Sequence, residues 1–466
     1  YTPPEPELPD AWHQAATDGL SDGEAVVQTW WSGVEDPVLD GLIERAQAAN
    51  LDLRAASERV QEARALRGVA TGARVPAVDA SGSYDRLKPS ENGLFPSDGS
   101  QTDLWNVGVG ASWELDVFGR VRRGVESATA GFEASVEDYR DVLVSVLAEV
   151  ALSYVDVRAL QARVDLARAN VESQEQTLQL TRDRFKAGLV SALDVAQAES
   201  ILAATEAEIP RLDSNLEFAY NRLAVLLGET PGSLQAELGE RAGIPNTPAS
   251  VAAGIPADLL RQRPDVRSAE RALASQNALI GVAKADLYPT FGLAGTLSLE
   301  AVDFSDLGDS SSLTWSLGGL FRWNLFAGGR IRNRVRVEEA RTAQALTSYE
   351  QTVLLALEEV EDALVAHRKE GERLERLAAS VDATERSLAL VLTQYRSGLT
   401  NFQNVLDTQR SLFERQDRMA ESEGLVVQNL IDLYRALGGG WDPDAPDPEL
   451  ALAPPPERPT TGGQAR

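Results

Sequence analysis

Apolar residues recur every seven positions over a long stretch in each half of the chain, with charged residues between them. In the first half they are Leu143, Val150, Val157, Val164, Val171, Leu178 and Phe185; in the second half the same positions are Val353, Val360, His367, Leu374, Val381, Leu388 and Tyr395. A seven-residue apolar repeat over six intervals is typical of a coiled coil. We therefore expect a helix from about Arg120 to Gly188, roughly 100 Å long at about 1.5 Å per residue.

Each long helix is predicted to turn back on itself. Gly188 and Gly398 follow the last heptad residue, where a helix end favours a left-handed residue. The helical pattern resumes at about Ala192 and Phe402 and continues to Leu227 and Leu437. Shorter helical patterns at about 51–73 and 265–286 are expected to stack end to end with these returning helices. Pro210 predicts a kink in the first returning helix, with no counterpart in the second.

Four segments between the helical stretches alternate with a period of two, which predicts strands with one apolar and one polar face. On the apolar face, Trp105 and Trp113 are eight residues apart, as are Trp315 and Trp323. At about 3.4 Å per residue this is roughly 27 Å along a strand. A soluble sheet packed on one side is the alternative. Aromatic residues that bracket such an apolar band favour a lipid-facing barrel strand.

The chain is an internal duplication. The segment 113–120 recurs at 323–330 and 185–189 recurs at 395–399, both 210 positions later, whereas positions 52 and 76 match 265 and 289, 213 positions later. A fixed period of this length indicates two copies of a half-protein. The unequal pairs are the expected gate positions, and they are Asp194 and Asn404, Gln197 and Asp407, Pro210 and Ala420, and Val157 and His367.

Four strands cannot close a barrel, since the smallest membrane barrels use about eight. A bilayer also excludes open sheet edges, because unpaired backbone groups find no water there. We therefore expect an oligomer, and a trimer would supply twelve strands. With the long helices continuing as a tube, the assembly would be a pore.

Composition narrows the function. Lys and Arg number 44 against 71 for Asp and Glu, a net charge of −27, which argues against a nucleic-acid partner. The absence of cysteine and the presence of only His13 and His367 argue against cysteine-ligated or multi-histidine metal sites and histidine-based triads. We find no catalytic constellation and predict no enzyme activity, cofactor or metal. The only methionine is Met419, so we expect a leader to have been removed.

Several short sequence segments resemble those of the TolC-like outer membrane factor family, most of all its OprM-type (NodT-like) efflux branch. They lie at 30–39, 50–54, 263–267, 287–289, 404–410 and 436–441, and the resemblance extends from about Pro9 to Trp441. It implies an α+β membrane protein: a homotrimer with a 12-stranded transmembrane β-barrel, four strands per chain, continued by a coiled-coil helical barrel with an equatorial domain. It further implies the outer membrane of a Gram-negative bacterium, extension into the periplasm, and a periplasmic adaptor and an inner-membrane pump as partners. Many members begin with a lipid-modified cysteine shortly before the position that matches Tyr1, and the residues from Tyr1 onward leave open whether this protein is such a lipoprotein.

We divide the chain accordingly. The short helices occupy 37–75 and 264–288, the barrel hairpins 76–116 and 289–326, the long helical hairpins 117–228 and 327–438, and equatorial or extended segments 1–36, 229–263 and 439–466, the last with a disordered tail.

The resemblance also implies site residues. It places adaptor contacts at the helical turns, pore constriction on the second returning helix, and the membrane aromatic belt at the four strand tryptophans. The candidates are Ala187, Gly188, Leu189, Ser397, Gly398 and Leu399 for the adaptor, Asn404, Asp407 and Arg410 for the constriction, and Trp105, Trp113, Trp315 and Trp323 for the belt. Because Asn404 stands where some relatives have an acid, a two-acid ring is not expected. Alternatively, the glycines are only helix caps, Asp407 is a solvated carboxylate or an ion-pair partner of Arg410, and His367 is a packed core residue.

The expected function is that of an outer membrane exit duct in a tripartite efflux system, passively conducting drugs or other small molecules. A protein-secretion duct of the same architecture and a non-conducting periplasm-spanning coiled coil are the alternatives. The tryptophan-bracketed hairpins favour a duct, because a tether needs no amphipathic barrel.

Overall fold

The computed structural model of the chain describes residues 1–4, 6, 8–13, 20–21, 28–90, 100–245, 251–252 and 262–442. The helices are α1 (Pro37–Ala49), α2 (Leu51–Gly72), α3 (Arg120–Lys186), α4 (Ala192–Leu226), α5 (Gln235–Leu238), α6 (Pro264–Ala285), α7 (Arg330–Arg396) and α8 (Phe402–Ala436). The strands are β1 (Leu20–Ser21), β2 (Ala77–Leu87), β3 (Thr102–Leu115), β4 (Val251–Ala252), β5 (Thr290–Ala301) and β6 (Leu313–Arg322). Parts of the predicted segments 1–36, 229–263 and 439–466 lie outside the described residues.

The chain forms two compact units. The first comprises Tyr1–Glu5, Arg59–Ser135 and Ser268–Glu350, and the second comprises Pro6–Glu58, Val136–Arg267 and Gln351–Arg466.

The first unit contains an antiparallel four-stranded sheet in the order β2-β3-β5-β6. The register places Tyr84 opposite Trp105, and Trp105 opposite Ala301. Because side chains alternate along a strand, one face of the sheet is apolar except for the cross-strand pair of Arg86 and Asp103 near the loop end. It carries Val78, Ala80, Gly82, Tyr84, Trp105, Val107, Val109, Ala111, Trp113, Phe291, Leu293, Gly295, Leu297, Leu299, Leu313, Trp315, Leu317, Gly319 and Phe321. Apart from Ala77, Leu87, Leu104, Ala294 and Leu320, the other face holds polar residues and glycine, so the predicted two-faced sheet is confirmed.

Trp323 lies outside the sheet that was expected to include it. β6 ends at Arg322, which pairs with Thr290 at the start of β5. Residue 289 is proline, which has no N–H group to extend the ladder. The strand prediction was therefore too long by a few residues at this end.

The two tryptophans at the helix-side ends of the hairpins make equivalent hydrogen bonds. The Trp113 indole N–H donates to the carbonyl of Arg74, and that of Trp323 donates to the carbonyl of Leu287, each at 3.1 Å. The two donors are 210 positions apart and the two acceptors are 213 positions apart. These are the two offsets at which the halves of the sequence match. The duplication therefore extends to individual hydrogen bonds.

Aromatic rings cluster at both ends of the sheet. At the loop end, Trp105 lies 4.3 Å from Tyr84 and 5.0 Å from Phe304, between ring centroids. At the helix end, Phe118 stacks on Tyr288 at 4.7 Å. Flanking aromatic bands are what a lipid-facing sheet presents at the two membrane interfaces.

The long helical hairpins have the predicted form. α3 and α7 each contain 67 residues, and the returning helices α4 and α8 each contain 35. Pro210 lies inside α4 without ending it. Among the described residues, no helix is both long enough and apolar enough to cross a lipid bilayer.

In the second unit, several heptad residues are fully buried, among them Val150, Val157 and Val360. Helices α3 and α8 approach closely at Gly424, where an added Cβ would lie 2.9 Å from the Cβ of Ala159. A larger residue at position 424 would therefore force these two helices apart.

The returning helices end in equivalent joints. Asn50 Nδ2 donates to the carbonyl of Leu226 at 2.8 Å, and Arg263 Nη1 donates to the carbonyl of Ala436 at 2.8 Å. The donors are again 213 positions apart and the acceptors 210. These side chains satisfy carbonyls that the ends of α4 and α8 leave without helical partners. Thus the segments 50–54 and 263–267 have the same structural role in the two copies, which is to cap the end of a returning helix.

Candidate functional site at the helical hairpin ends

Both long helices end in the same glycine-dependent cap. The N–H of Gly188 donates to the carbonyl of Phe185 and that of Leu189 to Arg184, both at 2.9 Å. The second copy repeats the pattern at Gly398 and Leu399, and the φ angles of the two glycines are 70° and 74°. This is a Schellman motif, which needs a left-handed residue. The cap fixes the backbone while the side chains of Leu189 and Leu399 are 65% and 79% exposed.

The returning helices begin differently in the two copies. Ser191 and Asp194 form a capping box, with the Ser191 N–H donating to Asp194 Oδ2 at 2.9 Å. In the second copy Asn401 is the cap and accepts from the N–H of Asn404 at 3.3 Å, while Asn404 Nδ2 donates to Thr400 Oγ1 at 2.7 Å. The change from Asp194 to Asn404 thus keeps a capped helix and removes a negative charge.

The three constriction candidates lie on one exposed side of α8. Asn404, Asp407 and Arg410 are exposed and recur every three residues, so they project from neighbouring turns of the helix. Asp407 accepts from Gln403 Nε2 at 3.1 Å and from Arg410 Nη2 at 3.2 Å. The ion pair is therefore within one helix and at the surface, where such pairs contribute about 0.3–0.5 kcal/mol. So weak a pair leaves both charges available to the solvent-filled space beside them.

The opposite side of α8 is buried. Phe402, Val405, Gln409 and Leu412 form this side. Tyr395, Phe402 and Val405 are buried in one cluster with Leu178 and Ala198 of the first hairpin. The ring centroids of Tyr395 and Phe402 are 5.5 Å apart. Residues from both hairpins therefore share a core immediately behind the turns.

Arg184 joins the ends of the two hairpins. Its Nη1 donates to the carbonyl of Arg396 at 2.8 Å, and its guanidinium lies 4.8 Å from the centroid of the Tyr395 ring. The hydroxyl of Tyr395 in turn donates to Thr181 Oγ1 at 3.5 Å. The position equivalent to Arg184 in the second copy is Gln394, so this link is found in one copy only.

Further polar contacts connect α3 to α8 away from the turns. Gln409 Nε2 donates to Thr177 Oγ1 at 2.9 Å, and Asn170 Nδ2 donates to Gln416 Oε1 at 3.0 Å. Arg163 makes a bidentate pair with Asp417 at 2.7 and 2.9 Å. The hydrogen bonds that Arg163 donates to Asp417 raise the pKa of Arg163.

Sequence reasoning missed these contacts, although a signal was present. Arg163, Asn170, Thr177 and Arg184 recur every seven residues, each one position before an apolar heptad residue. Polar residues that recur with the same seven-residue spacing as the apolar residues indicate a second face of α3 that packs against another helix.

A cavity of about 500 Å³ lies among α3, α4 and α8 and includes Arg410 in its lining. Its walls combine apolar residues such as Leu212 and Phe413 with charged ones such as Glu208. Gln174, only 2% exposed, also lines the cavity, and neither polar atom of its side chain has a partner within the described residues. The constriction candidate Arg410 therefore adjoins space into which its side chain can turn.

Burial shifts the pKa values of His367 and Asp141 in the second unit. Burial lowers the pKa of His367, against the effect of the Val426 carbonyl 3.2 Å from its Nδ1. Burial also raises the pKa of Asp141 to about 6; Asp265 raises it further, and Arg263 opposes the shift. A lowered histidine pKa favours the neutral form, in agreement with a packed residue.

Comparison with known proteins gives the class of this architecture. The sequence profile of the family described as "Outer membrane efflux protein" matches residues 42–229 and 255–439. Nodulation protein T of Rhizobium leguminosarum bv. trifolii is 34% identical over 453 residues, which are 96% of this chain and 94% of that protein. The toluene efflux pump outer membrane protein TtgI of Pseudomonas putida is 31% identical over 409 residues, 87% of this chain and 86% of that protein. The solved structure of the outer-membrane channel OprN is 36% identical, with a TM-score of 0.88 over 94% of this chain and 99% of that one.

The chain belongs to the outer membrane efflux protein family. It is the outer membrane channel of a tripartite efflux system in a Gram-negative bacterium, and it extends into the periplasm. The channel is a homotrimer with a transmembrane β-barrel and a helical barrel, and it functions with a periplasmic adaptor and an inner-membrane pump. The tether alternative is therefore wrong.

Proposed function

We propose that the exposed side of α8 forms the gate of this channel and that the two helical turns receive the adaptor. The observation that carries the proposal is the division of α8 into two sides: one buried against the first hairpin, the other bearing Asn404, Asp407 and Arg410 in solvent. In a ring of helices, the side turned away from the packed neighbours is available to line the passage. Three copies of Asp407 and Arg410 would then meet around the axis of the trimer.

The proposed cargo is small organic molecules. The relatives include a toluene efflux protein and a pyoverdine export protein, whose names indicate small molecules as cargo. The duct itself is passive in this proposal, with the driving force supplied by the pump. The adaptor would open the gate by binding the open state more tightly than the closed one, because a partner shifts an equilibrium only through such a preference.

Planar-bilayer recording of the purified trimer tests the gate. Replacing Asp407 with Ala removes three carboxylates from the proposed constriction, so we expect a higher open probability and a lower preference for K⁺ over Cl⁻. The control is Glu375→Ala, which removes an exposed carboxylate from α7. Equal effects of the two variants, or no change with Asp407→Ala, would show that Asp407 lies away from the constriction.

Adaptor binding tests the turns separately. Leu189→Asp and Leu399→Asp leave the glycine caps intact and replace the two most exposed apolar side chains at the turns. We expect weaker adaptor binding in a pull-down with the trimer preserved by size exclusion. Undiminished binding by the double variant would place the adaptor elsewhere.

A further inference from the structure

The first copy neutralises the arginines where its sheet meets its long helix. Arg120 Nε donates to Glu114 Oε1 at 2.8 Å, and Arg122 Nε lies 3.2 Å from Asp116 Oδ2. Asp116 also accepts the backbone N–H groups of Val121 and Arg122, at 2.9 and 2.8 Å. This junction thus contains its own anions, one for each of these arginines.

The second copy keeps the arginines and lacks the anions. The positions 210 residues after Glu114 and Asp116 are Asn324 and Phe326. The equivalent arginines, Arg330 and Arg332, are exposed, and neither forms an ion pair within the described part of the chain. Residues 322–336 contain five arginines and no acidic residue, in a chain with a net charge of −27. Of these five arginines, Arg334 alone has an ion-pair partner among the described residues, Asp286 at 3.7 Å, so an excess of positive charge remains in this segment.

Apolar side chains border these arginines. Leu325 and Phe326 are 77% and 89% exposed, which is unusual for residues of this size. With Leu287, Trp323, Gly329 and Arg332 they line a cavity of about 380 Å³. The volume falls in the range of small-molecule sites, roughly 300–1,000 Å³. The surface offers a cationic group beside an open apolar wall, which suits an amphipathic ligand.

We propose that Arg330 and Arg332 bind the phosphate headgroup of an anionic phospholipid in the leaflet nearest the long helices. The apolar face of β6 leads directly to Trp323, so the site is continuous with the membrane-facing sheet. A guanidinium matches phosphate oxygens with two parallel hydrogen bonds. The lipid would supply the negative charge that Glu114 and Asp116 supply in the first copy.

Trimer closure does not provide the missing carboxylates. β2 and β6 are the two free edges of the sheet, so a 12-stranded barrel pairs β6 with β2 of the next subunit. Residues 64–76 precede β2 and contain three arginines and no acid. The first acidic residue of the strand, Asp79, lies on its polar face, opposite to Val78 and Ala80. Closure therefore adds positive charge to this level of the barrel.

Native mass spectrometry of the delipidated trimer, titrated with phosphatidylglycerol or phosphatidylcholine, tests the proposal. At about 1 kcal/mol for each arginine near an anionic surface, Arg330→Gln with Arg332→Gln should weaken phosphatidylglycerol binding roughly 30-fold. The sharper variant is Asn324→Glu with Phe326→Asp, which restores the first copy's anions and keeps both arginines. It should lower the preference for phosphatidylglycerol by a similar factor.

The control is Arg376→Gln with Arg386→Gln, which removes two exposed charges from α7 in the second unit and should leave the preference unchanged. If the double restoring variant does not assemble, the single Asn324→Glu variant makes the same test with one exposed polar replacement. Equal binding of the two lipids by the unmodified trimer would overturn the proposal, as would full preference in the restored variant. Displacement of the lipid by millimolar glycerol phosphate would identify a soluble phosphate as the ligand and also overturn it.

Discussion

Arg184 is the most specific link between the two hairpins at the end that we propose to be gated. The replacement Arg184→Ala removes the hydrogen bond to the Arg396 carbonyl and the contact with the Tyr395 ring. It leaves the Tyr395 cluster and both glycine caps in place. We expect the closed state to lose stability relative to the open state, because the link holds the ends of two different helices together.

The size of the effect follows from the two contacts. A hydrogen bond from a charged group contributes about 1.5–3 kcal/mol, and an exposed cation–π contact about 0.5–1 kcal/mol. Because Arg184 is only partly buried, the lower values apply, which gives about 2 kcal/mol per subunit. At about 1.4 kcal/mol for each factor of ten, this is roughly a 30-fold shift of the closed–open equilibrium. Concerted opening of three subunits would multiply the three shifts.

Open probability in planar bilayers is the direct measurement. Arg182→Ala is the matched control, because Arg182 lies two residues away and pairs with Glu199 of its own hairpin at 2.7 Å. Arg184→Lys should be intermediate, since lysine keeps the charge and loses the planar fork. An unchanged open probability for Arg184→Ala, or an equal increase for Arg182→Ala, would refute the argument that this link holds the end closed.

Three further changes test other parts of the structure. Asp417→Asn should lower the thermal midpoint of the trimer, because it leaves the partly buried Arg163 without its anion, at a cost of about 2 kcal/mol; an unchanged midpoint would mean that solvent replaces the pair. Burial raises the pKa of Asp141 to about 6, so the folded protein loses stability as pH rises from about 4 to 6. Asp141→Asn should therefore stabilise the protein above pH 6, by at most about 3 kcal/mol, and have little effect below pH 4 in denaturant titrations. Gly398→Ala should cost about 1 kcal/mol through its φ of 74° and accelerate hydrogen exchange at the turn, whereas Gly371→Ala, inside α7, should not.

The regular elements could be predicted because their periods are properties of neighbouring residues. The seven-residue repeat gave α3 and α7, and the period of two gave the faces of the sheet. The end of β6 could not be predicted from its own residues, because it depends on Pro289, which immediately precedes the neighbouring strand β5. Backbone hydrogen bonding between two strands ends where either strand can no longer supply a donor or an acceptor.

The chemistry of the site was harder to predict. The pair of Asp407 and Arg410 is visible from spacing alone, since residues three apart are neighbours on a helix. The seven-residue repeat of polar residues that includes Arg184 indicates a packed face and does not identify the partner, because the partner is a backbone carbonyl 212 residues away. The raised pKa of Asp141 likewise depends on burial by other elements. Contacts between residues that are distant in the sequence can be recognised only once the packing of the helices is known.

The unequal positions of the repeat suggest where the helical end separates. In the trimer the six hairpins alternate, so three joints lie within subunits and three between them. Arg184 strengthens each joint within a subunit, and the residue equivalent to it for the other joints is the uncharged, exposed Gln394. The joints between subunits therefore lack an arginine at this position. Since separation starts where contacts are weakest, opening should begin between subunits, and the joints within subunits, which Arg184 links, should separate after them.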